Sequence, residues 1–179
     1  MKLIVGLGNP GRLYRLTRHN LGFLALDNYI KANRLAFKVD NKSEICIHDD
    51  VIYLKPMTYM NESGSEVGRI VRYYKINLED ILVIHDDKDI NFGQYKLKGN
   101  GSSGGHNGVH DISEKLGSQD YLRLKVGINN ERNYDTSAFV LSKFSRPERK
   151  ELPDLLDHFN HIIDDFVKME SIELMNKYN

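Results

Sequence analysis

The chain has 179 residues with a formal net charge of zero, and 40% of its residues are hydrophobic. These values fit one compact domain with a sizeable core, and they disfavour a protein that binds nucleic acid through bulk charge alone. No apolar stretch approaches the roughly 20 residues that span a bilayer, and no signal-peptide core follows Met1. We therefore expect a cytoplasmic protein without a membrane segment.

The charge is distributed unevenly along the chain. Residues 1–38 carry seven basic residues against one acidic residue, Asp27, while the segment beyond Arg146 is acidic. A basic face built from the first segment and part of the later strands could contact a polyanion. An ordinary solvated surface explains the same composition equally well. The basic residues considered for this face are Lys2, Arg12, Arg15, Arg18, Lys31, Arg34, Lys38, Lys96, Lys98, Arg123 and Lys125.

The first half of the chain predicts strands and helices in alternation. Residues 2–5 form a short apolar strand, and a glycine-rich loop then leads to a helix that Asn20 can cap. Residues 44–48 and 51–55 predict a hairpin, with Cys46 as a small buried hydrophobe. Because Cys46 is the only cysteine, an internal disulfide is excluded.

A second helix and a buried strand follow the hairpin. Asn61 or Ser63 opens the helix, and Ser63 has capping-box spacing to Glu66. The apolar run of residues 81–84 predicts a central strand that ends at a polar cluster. The helix buries a stripe at helical spacing that consists of Val67, Ile70, Val71 and Tyr74.

The remaining elements are two alternating strands and two helices. Residues 95–98 and 122–128 predict strands, and the alternation in the second strand directs Arg123 and Lys125 outward. A helix lies between the two strands. Its apolar positions are Val109, Ile112 and Leu116, and those of the final helix are Leu155, Leu156, Phe159, Ile162, Ile163 and Phe166.

This order of elements predicts an α/β fold in a single domain. Alternating strands and helices with a hairpin inside indicate a three-layer sandwich, in which helices flank a mixed twisted sheet. The domain spans residues 1–179 and ends in an acidic helical segment from about residue 147.

The loop Gly6-Leu7-Gly8-Asn9-Pro10-Gly11 matches the GxGxxG pattern of dinucleotide-binding proteins, but its context does not fit. Pro10 stiffens the turn, the helix starts only after Arg18, and no carboxylate closes a second strand about 20 residues later. The glycines are better explained as a sharp bend that points Asn9 into a cleft. There its amide could donate to a substrate carbonyl and accept from an N–H at once.

Three polar clusters carry the candidate chemistry. His19-Asn20 and His106-Asn107 both follow flexible segments, and His85-Asp86-Asp87 follows the central strand. Together they offer imidazoles, a carboxylate and amides, which can activate water and hold an acyl group without a metal or a cofactor.

Five segments in order give the chain a resemblance to the bacterial peptidyl-tRNA hydrolase family. They are VGLGNPG, the Tyr14 and Thr17-Arg18-His19-Asn20 that follow it, KPMTYMNESG, ILVIHDD and SSGGHNG, and they cover about residues 2–145. The resemblance implies a cytosolic, monomeric, single-domain enzyme that cleaves the ester between a peptide and the 3′ end of tRNA. It also implies that no metal and no organic cofactor take part.

The resemblance also implies roles for individual residues. His19 is similar to the general base that activates water, and Asp86 to the carboxylate that orients it. Asn9 resembles the residue that distinguishes blocked from free aminoacyl-tRNA. The residues implied in contacting peptide, ester or tRNA are Tyr14, Tyr59, Met60, Asn61, His106 and Asn107, with Lys96 and Lys98 as our own candidates for the tRNA backbone.

Several alternatives remain beside this interpretation. Any one of these Asn or His residues would be a turn former or a helix cap in roughly half of cases. A metal site is disfavoured because the chain has no HExxH or HxH motif. His106 and His110 are four positions apart, but we expect them on different sides of a helix start. A non-catalytic RNA-binding relative of the same fold is the main alternative function. A small-molecule esterase would leave the basic face unexplained.

Overall fold

The computed structural model describes all residues from Met1 to Asn179. It contains seven strands and six α-helices, joined by short 3₁₀ turns. The strands are β1 (Lys2–Gly6), β2 (Lys38–Asp40), β3 (Ser43–His48), β4 (Val51–Pro56), β5 (Ile81–Asn91), β6 (Tyr95–Lys98) and β7 (Leu122–Asn129). The helices are α1 (Leu21–Ala32), α2 (Ser63–Tyr74), α3 (Asn107–Leu116), α4 (Thr136–Val140), α5 (Arg146–Lys168) and α6 (Ser171–Tyr178).

All seven strands form one mixed sheet in the order β2-β3-β4-β1-β5-β7-β6. Strands β4, β1, β5 and β7 are parallel to their neighbours at the centre of the sheet. The edges are antiparallel, because β3 pairs with β2 and β4, and β6 pairs with β7. The predicted α/β class is confirmed, and the short edge strand β2 is an element that the sequence analysis missed.

Helices cover both faces of the sheet and create two cores. Leu82 and Ile84 of β5 pack on the face that also holds α1, α5 and α6, while Ile81 and Val83 pack on the face that holds α2 and α3. Parallel strands that are buried on both faces are apolar at consecutive positions. The unbroken run Ile81–Ile84 therefore reflects the predicted three-layer arrangement, and this prediction is confirmed.

Glycine allows α1 to lie against the centre of the sheet. A Cβ on Gly22 would clash with the carbonyl oxygen of Ile84, and a Cβ on Gly6 would clash with the carbonyl oxygen of Gly22. The close approach also lets Leu7 N–H donate to Ile84 O at 3.1 Å. This packing places the segment that precedes α1 beside Ile84 of β5.

Two local predictions are wrong. Asn20 is at the N-cap position of α1, but its side chain makes no capping hydrogen bond. The Ser63 and Glu66 spacing forms no capping box at α2. Ser63 Oγ instead donates to Met60 O, and Glu66 accepts from Ser43 Oγ at the start of β3. Asn20 and Glu66 pair with residues more distant in the chain, Asn9 and Ser43, whereas Ser63 bonds back to Met60 three positions earlier.

The strand that carries the polar cluster is longer than predicted. The sequence analysis ended it at Ile84, but β5 continues to Asn91, because β7 pairs with it through Asp87. His85 and Asp86 are therefore strand residues with fixed directions. Separately, no helix of the structure combines the length and apolar character that crossing a membrane requires.

Candidate active site

A cleft of about 370 Å³ lies beyond the carboxyl ends of β1 and β4 and beside the middle of β5. The helix after β1 packs on one face of the sheet and the helix after β4 packs on the other. Such a reversal leaves a crevice in which open α/β sheets bind their ligands. Its lining includes Asn9, His19, Tyr59, Met60, Asn61, His85, Asp86, Lys88, His106, Asn107, Val140 and Leu141.

Asp86 is the centre of the hydrogen-bond network in this cleft. Its carboxylate is only 2% exposed, and its two oxygens contact different imidazoles. Oδ2 is 2.8 Å from His19 Nδ1, and Oδ1 is 2.9 Å from His106 Nε2. Burial alone would raise the pKa of Asp86, but its interactions with His19 and His106 hold it below its ordinary range. Asp86 is therefore a carboxylate throughout the physiological range.

His19 presents one nitrogen to the cleft. Its Nδ1 is engaged by Asp86, and its Nε2 has no partner within the protein. The side chain is 12% exposed. Burial lowers the pKa of His19, but the negative charge of Asp86 and the hydrogen bond to it raise the pKa by more, so that it lies above the ordinary value of a histidine. With Nδ1–H directed at the carboxylate, the Nε2 lone pair is available to take a proton.

His106 donates to Asp86 through its Nε2. Its Nδ1 accepts a hydrogen bond from Val109 N–H at 3.3 Å, which caps α3. A nitrogen that accepts carries no proton, so the proton of the neutral ring is on Nε2, where it meets Asp86. The sequence analysis placed His106 near the substrate but did not predict this contact.

His85 is a second buried imidazole beside this network. Its Nδ1 is 2.7 Å from the carbonyl oxygen of Asp86, and its Nε2 is buried without a partner. Burial, and then the proximity of His106, lower the pKa of His85 to about 3, so it stays neutral. Its ring meets the His106 ring edge-on at a centroid distance of 4.8 Å, which restricts the movement of His106.

Asn9 faces the cleft with its amino group. Its Oδ1 accepts from Met60 N–H at 2.8 Å, while its Nδ2 makes no hydrogen bond within the protein. Asn20 holds the backbone of Asn9 on both sides, because it accepts from Asn9 N–H and donates to Asn9 O, each at 2.9 Å. The prediction that Asn9 points into the cleft is confirmed. The expectation that its amide also accepts from a substrate N–H stays a prediction, because Met60 N–H uses one of the two lone pairs of Oδ1.

Further amides stand at the rim of the cleft. Asn61 and Asn107 are exposed and line it, and Tyr59 is 59% exposed beside the buried Met60. Asn107 is the first residue of α3. The N–H groups in the first turn of a helix have no partner within the helix and favour negative charge. Two N–H groups of this turn, those of Val109 and His110, already donate to His106, so the amides of Asn61 and Asn107 are the donors at the rim.

Some predicted binding residues lie outside the cleft. Tyr14 belongs to the 3₁₀ turn Arg12–Tyr14 and does not line the cleft. Lys96 and Lys98 are exposed on the edge strand β6, as expected, and Lys125 is partly buried and 3.3 Å from Asp87. The structure brings none of these four residues into contact with His19 or Asp86.

Arg123 does not point to solvent, so this part of the predicted basic face is wrong. Its side chain is 1% exposed and donates to Gly101 O at 2.8 Å and to Gln119 O at 3.0 Å. The guanidinium also lies 4.3 Å from the Tyr121 ring centroid. When both faces of a sheet are covered, the polar positions of an alternating strand are buried together with the apolar ones. Arg123 instead anchors the glycine-rich segment that precedes His106.

Arg18 was also counted in the basic face, and it is buried as well. It pairs with Glu148 of α5 at 2.7 Å, and both side chains are less than a tenth exposed. The sequence analysis missed Glu148 and the cleft wall formed by α4 and Leu141. The spacing of Ser145 and Glu148 could have located the start of α5, because these two residues form a true capping box.

The structure also brings together three groups that could in principle bind a metal ion. The ligand atoms of His19, Asp86 and His106 lie within 4.8 Å of one another, although the three residues are far apart in sequence. Each of these atoms already takes part in a hydrogen bond between an imidazole and the carboxylate. The donor set therefore fits proton transfer as it stands, and a metal would have to displace both shared protons.

The cleft holds an imidazole with a free nitrogen, a buried carboxylate behind it and amide donors around it. A hydrolase uses such groups to activate water and to stabilise an oxyanion. The comparisons agree with this class. A family model described as peptidyl-tRNA hydrolase matches residues 3–179.

Individual relatives match over the full length. The peptidyl-tRNA hydrolase of Lactobacillus johnsonii is 42% identical over 185 residues, and that of Mycoplasmoides gallisepticum is 44% identical over 182 residues, with 100% of each chain covered. The crystal structure of peptidyl-tRNA hydrolase from Acinetobacter baumannii has a TM-score of 0.90 at 35% identity, and the match covers 100% of this chain and 94% of that one. The chain belongs to the peptidyl-tRNA hydrolase family and is a hydrolase.

Proposed function

We propose that the protein hydrolyses the ester between the peptide and the 3′ end of tRNA, and so recycles tRNA from prematurely released peptidyl-tRNA. One observation carries the mechanism. His19 Nδ1 is 2.8 Å from the buried Asp86 carboxylate, which leaves His19 Nε2 free in the cleft. The carboxylate selects the tautomer whose cleft-facing nitrogen is a base.

In this mechanism His19 Nε2 takes a proton from water as the water oxygen attacks the ester carbonyl carbon. The carbonyl electrons move to the oxygen, and their return breaks the bond to the 3′ oxygen of the terminal ribose. The imidazolium gives its proton to that leaving oxygen, so the products are a peptide acid and tRNA. Asp86 stabilises the imidazolium through its charge. Esters are labile, so this proposal requires no metal and no organic cofactor.

Amide donors suit the polar parts of the substrate. Asn9 Nδ2 is free in the cleft and would donate to the carbonyl oxygen of a blocked amino group. A free aminoacyl-tRNA lacks that carbonyl and has an ammonium, which is itself a donor. We assign Asn61, Asn107 and Met60 to the ester region and the peptide backbone. His106 acts through Asp86, while Tyr59 and Tyr14 complete the predicted substrate contacts.

The tRNA would extend beyond the cleft over the charged edge of the sheet. Lys96 and Lys98 are exposed at alternate positions of β6, so both project from the same face. Exposed lysines suit contacts with phosphate, which position a nucleic acid without reading its sequence. The resemblance further implies a monomeric enzyme in the cytoplasm, and we keep both as part of the proposal.

A non-catalytic RNA-binding protein of the same fold is the second candidate. Such a protein needs the exposed lysines but not a free imidazole nitrogen backed by a buried carboxylate. Burying Asp86 has an energetic cost, which its two hydrogen bonds offset. The network of His19, Asp86 and His106 therefore favours an enzyme.

Hydrolysis of N-acetyl-aminoacyl-tRNA by the purified protein in the presence of a chelator tests the proposal. His19→Ala should lower the turnover rate by roughly 10²–10⁴-fold, which is the loss expected for a general base. His110→Ala is the matched control, because His110 is on α3 with a 65% exposed side chain outside the cleft lining. Near-normal turnover by His19→Ala would refute the base assignment, and an inactive parent would favour the RNA-binding alternative.

A further inference from the structure

A buried ion pair adjoins the cleft without lining it. Arg18 Nη2 donates to Glu148 Oε1 at 2.7 Å, and the two side chains are 6% and 9% exposed. Arg18 directly precedes His19 in the chain, while Glu148 is 130 positions later, in the first turn of α5. The pair therefore connects the segment that carries the proposed base to the C-terminal helix.

Arg18 also holds the wall of the cleft. Its backbone N–H donates to Ser142 O at 3.0 Å, and its Nη1 donates to Lys143 O at 2.7 Å. Leu141, which lines the cleft, directly precedes Ser142. The guanidinium lies 4.3 Å from the ring centroid of Phe139 in α4. Arg18 thus joins the segment that carries His19 to α4 and to the residues that follow α4.

Glu148 fixes the other end of this arrangement. Its Oε1 also accepts from Ser145 N–H at 2.7 Å, and its Oε2 accepts from Asn130 Nδ2 at 3.2 Å. Both oxygens are therefore occupied, and Glu148 is the only carboxylate paired with Arg18. A planar guanidinium makes several hydrogen bonds in fixed directions, which a lysine ammonium does not.

We propose that the Arg18–Glu148 pair is a positioning device that sets the separation between His19 and the cleft wall at Val140 and Leu141. The inference rests on the proposed function of His19. Catalytic geometry is sensitive to this separation, since a misplacement of about 1 Å can cost on the order of 10²-fold in rate. Neither Arg18 nor Glu148 touches the substrate in this scheme.

The test replaces both partners at once. Removing one partner would leave an unpaired buried charge and destabilise the fold, whereas exchanging both for apolar residues of similar size is often tolerated. The double variant Arg18→Met with Glu148→Leu should keep a melting temperature near that of the parent. Its kcat on N-acetyl-aminoacyl-tRNA, per folded molecule, should fall by about 10- to 100-fold. The acidic limb of its pH profile should stay in place, because the Asp86 contact with His19 is unchanged.

Two further variants separate positioning from general stability. Glu148→Gln keeps an oxygen that accepts from Arg18, so it should retain more of the parent's kcat than the double variant does. Tyr29→Phe is the matched control, because the buried Tyr29 donates its hydroxyl to Asp164 Oδ1 of α5 at 2.7 Å, near the opposite end of that helix. It should change the melting temperature without changing kcat per folded molecule.

Amide exchange provides a measurement that is independent of activity. The N–H of Arg18 donates to Ser142 O, and the N–H of Phe144 donates to Leu16 O at 3.3 Å. In the double variant, the amides of residues 18 and 144 should lose protection, while that of Leu7 keeps it. Retention of the parent's kcat by the double variant, or unchanged protection at both amides, would overturn the proposal. An inactive parent counts against the proposed function, and the exchange result then decides whether the pair holds the two segments together.

Discussion

Replacing Asp86 by Asn should reverse the direction of the hydrogen bond to His19. An Asn side chain has one accepting oxygen and one donating nitrogen, whereas Asp86 accepts from two imidazoles. His106 needs the acceptor, because its Nδ1 already accepts from Val109 N–H and its Nε2 must donate. The new amide nitrogen would then face His19 Nδ1. This forces the proton of His19 onto Nε2, where the base should be.

The expected loss follows from that tautomer. The corresponding exchange of Asp for Asn in the triad of serine proteases lowers kcat by about 10⁴-fold for the same reason. For Asp86→Asn we expect a loss of about 10³- to 10⁴-fold, which corresponds to ~4–5.5 kcal/mol of activation free energy. The measurement is single-turnover hydrolysis of N-acetyl-aminoacyl-tRNA across a pH series. Asp89→Asn, an exposed carboxylate further along β5, is the control that should keep the parent's rate.

The pH profile of the residual activity should move in one direction. A base works when it is deprotonated, so the rate rises as pH increases through the pKa of His19. Burial lowers that pKa, and Asp86 raises it by more. Without the carboxylate charge, burial dominates, and the acidic limb should shift to lower pH. A shift to higher pH would contradict the pairing.

A second substitution tests whether the tautomer of His19 causes the loss of activity. If His106 is replaced by Ala in the Asp86→Asn protein, the amide oxygen no longer has to accept from His106. It can rotate to accept from His19 Nδ1–H, which restores the basic nitrogen in the cleft. The double variant should therefore be faster than Asp86→Asn alone, when both are corrected for folded protein. A double variant that is slower, or a single variant within tenfold of the parent, would refute the reasoning.

Two further predictions concern substrate recognition. Asn9→Asp removes the free amide donor while keeping the acceptor for Met60 N–H, so the preference for blocked over free aminoacyl-tRNA should fall by about 10- to 100-fold. The ratio of the kcat/KM values for the two substrates measures this preference. An unchanged ratio would mean that Asn9 only shapes the loop. Lys96→Ala and Lys98→Ala should each weaken binding of blocked tRNA and flatten the dependence of log affinity on log salt by about one unit or slightly less. Cleavage of a short acyl-nucleoside should be unaffected by either substitution. The control is Lys168→Ala, at the C-terminal end of α5, which should change neither tRNA binding nor its salt dependence. If both variants keep the parent's dependence of log affinity on log salt, these lysines are ordinary solvated surface residues.

The regular elements were largely readable from local pattern. The stripes of α2, α3 and α5 and the alternation in β7 predicted their elements because burial on one face repeats with the period of the structure. The same argument failed for Arg123. Alternation says which residues share a face, and it cannot say whether a second layer covers that face. Here the loop at Gly101 and Gln119 covers it.

The candidate residues of the cleft were also identified by motif, but their contacts were not. The sequence analysis selected His19, Asp86 and His106 without predicting that one carboxylate contacts both imidazoles. Similarly, it placed Asn9 in a cleft and left both ends of its amide free. Met60, 51 positions later, takes the oxygen. Hydrogen bonds between distant residues depend on where the elements pack, so no local spacing encodes them.

The sequence by itself determined the α/β class, most of the elements and the family resemblance, because hydrophobic period and short motifs are properties of neighbouring residues. Only the tertiary structure decided which charges are solvated and which are buried. Arg18 illustrates the difference, since it stands among basic residues in the sequence and lies paired with Glu148 in the fold. Burial and pairing of a charge are settled by the packing of segments that are far apart in the chain. The same packing leaves His19 Nε2 as the free base of the cleft.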